Sequence, residues 1–203
     1  MRLGLMLLSI FILMVGLVCF GSSSIKNEID NYNDIFIEYV GYGHIGMVDG
    51  NKVIFPEYIK LKNKGVRTLN ISGLYITDYT EGGKKRWIGE ALLKFPEGAY
   101  MKPGESIIIA NYRSPTNAQL EKGYISISFK DAYGFEPDFE VQDKDKNIKD
   151  MIVVKGIFKL ANYSDDRDQD HIFLINKSKL SDDELIKNLE DGKLPQEIII
   201  DYY

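Results

Sequence analysis

The sequence predicts an all-β fold, arranged as a sandwich or a barrel of short strands. Three observations support this prediction: short apolar runs, alternation of apolar and polar side chains within several of them, and turn-forming residues between them. The chain of 203 residues is long enough for one domain with its own apolar core. Because no long helical pattern separates the strands, we expect packed sheets rather than a mixed α/β fold.

The predicted strands follow one another at short intervals. Alternation in 57–62 places Ile59 and Leu61 on one face, which indicates a strand with one buried side. The unbroken apolar run 106–111 predicts a central strand that is covered on both faces. The predicted strands are 35–40, 57–62, two short strands within 69–78, then 87–95, 106–111, 124–129, 151–160, 171–175 and 197–201, with a loop at 41–51 and an irregular acidic stretch at 130–150.

One short helix is predicted near the C-terminus, inserted between the last two strands. Ser181 and Glu184 have the spacing of a capping box, in which each side chain binds the backbone N–H of the other residue. Leu185 and Leu189 then fall on one face of the helix, and Gly192 is placed to end it.

The N-terminus has the layout of a secretory signal. Arg2 precedes the apolar segment 3–20, and small polar residues follow at 21–24. Residues 1–24 are therefore interpreted as a signal peptide or a hydrophobic membrane-anchor helix, 25–33 as a linker, and 34–203 as the folded domain. Cleavage near Ser24, retention as an anchor and lipid attachment at Cys19 remain open, and each of them predicts an exported, extracellular or cell-surface protein.

Composition limits the partners and the chemistry. The formal net charge of −5 argues against nucleic acid as a partner and against a basic membrane-binding patch. His44, His171 and Cys19 are too few for a Cys/His zinc site or a disulfide framework. No nucleophile motif accompanies either histidine, so both are interpreted as surface or turn residues.

Several segments resemble the lamin tail domain, an Ig-like β-sandwich found in nuclear lamins and in many exported prokaryotic proteins. The segment 57–65 (EYIKLKNKG) is similar to a family segment that begins with Glu and an aromatic residue and ends Asn-x-Gly/Ser. The segment 69–78 (LNISGLYITD) resembles the next one, with Leu74 where tryptophan is usual. The turns and strand of 95–110 resemble the family's Phe-Pro-x-Gly and Pro-Gly segments, and 160–175 and 199–203 its closing strands.

This resemblance implies an Ig-like β-sandwich of the lamin-tail type over about 35–203. Asn63 and Asn162 then act as turn-formers of the scaffold, because an Asn side chain can bind neighbouring backbone groups. The segment 133–140 (YGFEPDFE) is similar to a stretch of exported archaeal and bacterial versions, some of which carry a phospholipase D-like domain downstream.

Two acidic loops are candidate metal sites. Four carboxylates in one loop suit Ca²⁺, which takes six to eight oxygen ligands, and the alternative is a solvated acidic loop. A second loop opens like a calcium loop, but Ile148 replaces the glycine that the sharp turn needs. The candidate ligands are Asp165, Asp166, Asp168 and Asp170 in the first loop, and Asp143, Asp145, Asn147 and Asp150 in the second. No other cofactor is expected.

A basic and aromatic hairpin tip is a candidate binding site. Lys84, Lys85, Arg86 and Trp87 follow two glycines, and such a tip could contact a glycan, a phosphate polymer or a protein. The alternative is that Trp87 packs into the core and the lysines solubilise the turn.

The resulting functional hypothesis is an exported or membrane-anchored, non-catalytic binding or structural module of the cell envelope. Its partner would be a protein or an envelope polymer, with membrane contact through the N-terminal segment if that segment is retained. Self-association through exposed edge strands is a further expectation. The alternative is a divalent-metal-dependent hydrolase, or an accessory subunit of a nuclease or phospholipase D-like enzyme, whose carboxylates would have to converge around one or two ions.

Overall fold

The computed structural model of the chain describes residues 32–82, 86–141, 150–156, 160, 170–177 and 180–203. For 79–82, 86–90 and Asp170 it describes the backbone only. Asn31–Tyr203 forms one compact unit.

Fourteen strands make up almost half of the described chain and far exceed its helices, which confirms the prediction of a mostly β protein. Their bounds are β1 Ile35–Gly41, β2 Ile45–Val48, β3 Asn51–Ile54, β4 Glu57–Asn63, β5 Leu69–Asn70, β6 Tyr75–Gly82, β7 Arg86–Lys94, β8 Tyr100–Met101, β9 Ser106–Asn111, β10 Tyr124–Ser126, β11 Phe139–Val141, β12 Ile152–Lys155, β13 Asp170–Ile175 and β14 Ile199–Tyr202.

The strands form four sheets. A four-stranded sheet has the order β1-β4-β9-β11, and a five-stranded sheet has the order β12-β7-β6-β13-β14. A three-stranded sheet has the order β10-β3-β2, and β5 pairs with β8. Pairing is antiparallel except between β9 and β11 and between β3 and β10.

The four- and five-stranded sheets share one apolar core. Ile59 and Leu61 of β4 are fully buried in this core, as the alternation of the sequence predicts. The residues that alternate with them on β4 are only partly buried. Ile76 of β6 and Ile172 of β13 join the same cluster from the five-stranded sheet. Burial of these side chains supplies the main stabilisation of the fold.

Within the described residues, three α-helices and two short 3-10 helices accompany the sheets. The helices are α1 Asn117–Leu120, α2 Phe129–Tyr133 and α3 Asp182–Glu190, and the 3-10 helices are Tyr32–Asp34 and Gln196–Ile198. The predicted helix is α3: Ser181 and Glu184 form both bonds of the capping box, and Leu185 and Leu189 are buried. It lies between β13 and β14, as expected, and its apolar side chains pack with Tyr75 and Leu92 of the five-stranded sheet.

Five local expectations were wrong or incomplete. The predicted loop 41–51 contains β2, because Asp49 and Gly50 both take positive φ and turn the chain into a β2–β3 hairpin. The strand predicted at 124–129 ends at Ser126, since Ser128 caps α2 instead. Helix α2 and strand β11 lie partly or wholly within 130–150, which was predicted to be irregular. The prediction of a single short helix was therefore incomplete. The strand predicted at 151–160 spans only Ile152–Lys155 among the described residues.

The stretch interpreted as a linker ends in ordered structure. Tyr32 and Asn33 belong to the first 3-10 helix, and the Tyr32 hydroxyl donates a hydrogen bond to the Asn70 carbonyl at 3.0 Å. Tyr32 also packs against the main core.

None of the helices in the described part of the chain is long and apolar enough to span a membrane. The apolar segment 3–20 lies outside the described residues.

Candidate binding surface

Five aromatic side chains gather on the outer face of the four-stranded sheet. Their ring centroids lie 4.6–5.5 Å from one another along a continuous chain of contacts. Two rings at the rim are open to solvent: Tyr39 is 46% exposed and Phe135 is 49% exposed. We call this set the aromatic surface; it consists of Tyr39, Tyr58, Phe129, Tyr133 and Phe135.

A β-bulge in β1 supplies the first ring. The pairing of β1 with β4 shifts between Ile37 and Tyr39, so Glu38 is an extra residue on β1. Glu38 and Tyr39 therefore both point outward in succession, while Ile37 and Val40 on either side of them are buried. Asp201 accepts a hydrogen bond from the Ile37 N–H at 2.7 Å and so holds the bulge in place.

Tyr58 lies flat against the backbone of β1. A Cβ atom at Gly41 would collide with the Tyr58 ring, so only glycine permits this approach. Tyr58 alternates with the buried side chains of β4, which directs it to the outer face.

Helix α2 supplies the other three rings. The Ser128 side chain accepts a hydrogen bond from the Asp131 N–H and caps the helix, and Gly134 ends it with φ +86°. Phe129 and Tyr133 are four residues apart and therefore share the helix face that meets Tyr58. Phe135 follows the cap and contacts Phe129 edge-on at 5.3 Å.

Three tyrosine hydroxyls lie close together on this surface, and burial together with this proximity raises the pKa of two of them, Tyr58 and Tyr133. Burial, followed by the proximity of Tyr39 and Tyr133, raises the pKa of Tyr58 to about 12. Burial, followed by Tyr39, also raises the pKa of Tyr133. The Tyr58 and Tyr133 hydroxyls are therefore neutral hydrogen-bond donors and acceptors at physiological pH.

Alkaline pH is expected to destabilise the protein through Tyr58. Its pKa is raised from 10 to about 12, so its contribution to stability is complete below pH 10 and is lost as the pH rises toward 12. Such a difference corresponds to at most about 2.7 kcal/mol, and partial solvation of Tyr58 reduces the expected loss to about 1–2 kcal/mol. Urea unfolding at pH 9 and pH 11.5 measures it. In Tyr58→Phe, the part of the loss in unfolding free energy that comes from Tyr58 should disappear. In Tyr112→Phe, which keeps Tyr58, the full loss should remain. Equal loss of stability between the two pH values in both variants would contradict the role of Tyr58.

Charged groups border the aromatic surface. Lys60 forms an ion pair with Glu38 at 2.9 Å, and the Ser106 hydroxyl donates to Glu38 at 3.2 Å. The hydrogen bond from Lys60 is the main reason that the pKa of Glu38 is lowered. On the other side, Lys130 pairs with Glu136 at 2.8 Å. Exposed rings thus lie beside polar groups that can donate or accept hydrogen bonds.

A separate open cavity of about 450 Å³ lies beside β8, β9 and β11. One oxygen of Asp150 is buried there without a hydrogen-bond partner among the described residues. Asp138 also lines the cavity, and its carboxylate accepts a bond from the Ile108 N–H at 2.8 Å. The full lining is Pro96, Glu97, Gly98, Ala99, Tyr100, Glu105, Ile107, Asp138, Phe139 and Asp150.

No group of three or more His, Cys, Asp or Glu side chains within the described ranges is placed to hold a metal ion.

Most of the residues that the sequence singled out lie outside the described part of the chain. This holds for Asp143, Asp145 and Asn147, for Asp165, Asp166 and Asp168, and for Lys84 and Lys85. Asp170 begins β13, and Arg86 and Trp87 begin β7, opposite Gly82 and Glu81 of β6. The pairing of β6 with β7 confirms the hairpin, while the metal and tip assignments stay predictions.

The aromatic surface was not predicted from the sequence. Tyr39 and Tyr58 were assigned to strands, but no contact between them was predicted, and Phe129–Tyr133 was not recognised as a helix. The available signal was local: Ser128 before an aromatic pair four residues apart, with Gly134 after it, has the pattern of a capped helical turn.

Comparison with known proteins gives a fold relationship. No protein-family model matches the sequence, and no curated protein matches it. The structure is similar to the crystal structure of a DUF4876 family protein from Bacteroides thetaiotaomicron, with a TM-score of 0.53 and 15% sequence identity. The match covers 84% of this chain and 53% of that one, so this chain spans about half the length of its structural neighbour. At this identity the similarity shows the fold alone: a mostly β architecture of several sheets with a few short helices.

Proposed function

We propose that this protein is an exported or membrane-anchored, non-catalytic binding module of the cell envelope. The observation that carries the proposal is the aromatic surface, where the exposed ring of Tyr39 lies beside the Glu38–Lys60 ion pair and the exposed ring of Phe135 is next to Glu136, which pairs with Lys130. Aromatic residues with a polar rim are the usual composition of a binding site, because they bury a large area with little loss of conformational entropy.

The scaffold we propose for this module is an Ig-like β-sandwich of the lamin-tail type. Three of the segments that carry the resemblance lie in strands, which supports this scaffold: 57–63 is β4, 69–78 contains β5 and the start of β6, and 106–110 lies in β9. Asn63 binds backbone groups on both sides of its turn, as a scaffold residue should. The envelope location rests on the apolar N-terminal segment of the sequence.

A glycan polymer is the ligand class that best fits the aromatic surface. Sugar rings present apolar C–H groups on their faces and hydroxyls at their edges. Aromatic rings cover the faces, and the Tyr39, Tyr58 and Tyr133 hydroxyls and the two bordering ion pairs can bind the edges. Among the two partner classes that the sequence left open, an envelope polymer therefore has the closer chemical match.

Co-sedimentation of the purified chain with insoluble glycans tests this function. Peptidoglycan sacculi, chitin and cellulose serve as probes, and we expect saturable binding to at least one of them. Tyr39→Ala and Phe135→Ala should each weaken that binding about fivefold or more, because the loss of an aromatic contact of this kind commonly costs about 1 kcal/mol or more.

Tyr112→Ala is the matched control. Tyr112 is 45% exposed, almost the same as Tyr39, but it follows β9 and is not one of the five rings. Its loss should leave binding unchanged. The proposal fails if no glycan binds, or if Tyr112→Ala weakens binding as much as the two surface variants do.

A further inference from the structure

Strand β2 presents an apolar outer edge. It is the last strand of the order β10-β3-β2 and pairs with β3 on one side. Its four residues, Ile-Gly-Met-Val, carry no charge, and Ile45 and Met47 are 53% and 64% exposed. Exposed apolar strands of this kind readily pair with another strand, because their outward N–H and C=O groups match those of any extended chain.

Strand β1, at the edge of the four-stranded sheet, differs from β2. It contains the Glu38 bulge, and Asp201 accepts the Ile37 N–H there. Bulges and charged side chains are the usual means by which sheets prevent pairing at their edges. In β2, the pairing with β3 runs from Ile45 to Val48 without a register shift.

The hairpin geometry shows which backbone groups of β2 point outward. The Phe55 N–H donates to the His44 carbonyl at 2.9 Å, so the pair His44–Phe55 is hydrogen-bonded. Hydrogen-bonded and non-hydrogen-bonded pairs alternate along an antiparallel ladder. Gly46 and Val48 therefore bind β3, whereas the N–H and C=O groups of Ile45 and Met47 point to the open edge.

We propose that β2 pairs antiparallel with β2 of a second copy of this chain, about a two-fold axis at Gly46. In this register Ile45 of each copy faces Met47 of the other, and these are the residues whose backbone groups point outward. Gly46 faces Gly46 of the second copy as a non-hydrogen-bonded pair, in which the two backbones come closest. The two three-stranded sheets then join into one continuous sheet.

Side chains on both faces of the joined sheet agree with this pairing. Ile45 and Met47 of the two copies form one apolar group on the first face. On the second face the Phe55 ring lies over Gly46, where an added Cβ would be 2.9 Å from it, and it stacks on His44 at 4.4 Å. The two-fold axis therefore brings the Phe55 rings of the two copies toward each other.

The absence of charge on β2 is compatible with a second copy at this edge. The chain carries a net charge of −5, which opposes association, and an uncharged contact adds no local repulsion to it. In the proposed register, Asp49 of one hairpin faces Gly43 of the other, so no two like charges face each other across the paired strands. Four residues bury much less than the roughly 800 Å² per partner of a standard interface, so we expect a weak dimer.

Sedimentation equilibrium of the full-length chain in detergent, from about 10 μM to about 1 mM, tests the dimer. Met47→Lys should raise the dissociation constant at least tenfold. Ile125→Lys is the matched control, because Ile125 is 47% exposed on β10, at the far edge of the same sheet. All variants keep the same N-terminus, so association through that segment would not distinguish them, and circular dichroism confirms that each variant is folded.

Cysteine cross-linking tests the register. In a Cys19→Ser background, a mixture of Ile45→Cys and Met47→Cys chains should form the disulfide-linked heterodimer under mild oxidation. The paired Cα atoms would lie about 5.5 Å apart, which suits a disulfide, whereas identical positions would be about 7–8 Å apart. Each variant oxidised alone should therefore give much less dimer.

Three results would overturn the proposal. The chain could remain monomeric up to about 1 mM, which would leave the edge to a strand of another protein. Met47→Lys could associate as strongly as Ile125→Lys. The mixed cysteine variants could also cross-link no better than either variant alone.

Discussion

Replacing Glu57 with alanine is expected to lower the free energy of unfolding by about 3–5 kcal/mol. Glu57 is fully buried at the start of β4. Its carboxylate accepts hydrogen bonds from the Asn111 side chain at 2.9 Å and from the Leu160 N–H at 2.8 Å, and Arg113 lies 3.4 Å away. Alanine would leave two buried donors without their acceptor and would open a cavity, and both effects destabilise the folded state.

Urea unfolding of Glu57→Ala and Glu38→Ala measures this difference. Glu38 is the matched control, because it is a glutamate on the adjacent strand whose ion pair with Lys60 is about one-third exposed. Surface ion pairs contribute little, so Glu38→Ala should cost less than about 1 kcal/mol. If the two variants unfolded at similar urea concentrations, the buried network around Glu57 would not stabilise the fold as proposed.

The complete burial of Glu57 could not be predicted from the sequence alone. Alternation places Glu57 on the same face as Ile59 and Leu61, but a charged residue at the end of a strand is usually exposed to solvent. Its partners Asn111 and Leu160 lie 54 and 103 residues away, so their convergence depends on the packing of strands that are distant in sequence.

The strands that form the core were more predictable. Ile59 and Leu61 alternate with polar residues, and alternation translates directly into one buried face. The capping box at Ser181 likewise gave α3 its first residue, since the signal is complete within four residues. Patterns that are complete within one element are readable without knowledge of the fold.

The β2–β3 hairpin was missed because its strands are short and both faces of β2 are partly exposed. Ile45 to Val48 shows no alternation of burial, so its sequence resembles a glycine-rich loop. The Asp49-Gly50 pair within the predicted loop is a turn signal, and apolar residues on both sides of such a pair indicate a hairpin. The aromatic surface was missed for a different reason: α2 has to dock on Tyr58, and one strand's sequence does not specify that contact.

Replacing Asn63 with alanine is expected to cost about 2–4 kcal/mol, because one side chain connects three segments. Its amide donates to the carbonyls of Arg67 at 2.8 Å, Lys102 at 3.0 Å and Met101 at 3.2 Å. Its oxygen accepts the Gly65 N–H at 2.9 Å, which forms the turn that the sequence predicts. Alanine would break the connection between the end of β4 and the turn after β8.

Two further variants separate the turn from the connection between segments. Asn70→Ala removes a similar turn bond, from the Ser72 N–H at 2.9 Å, and should cost only about 1 kcal/mol. Asn63→Asp keeps the oxygen that accepts from Gly65 but presents a carboxylate to three carbonyl oxygens. It should therefore destabilise the protein at neutral pH at least as much as alanine does. Thermal or urea unfolding measures the order of stability of these variants. An Asn63→Asp variant as stable as the unmodified chain would mean that the turn bond alone accounts for the role of Asn63.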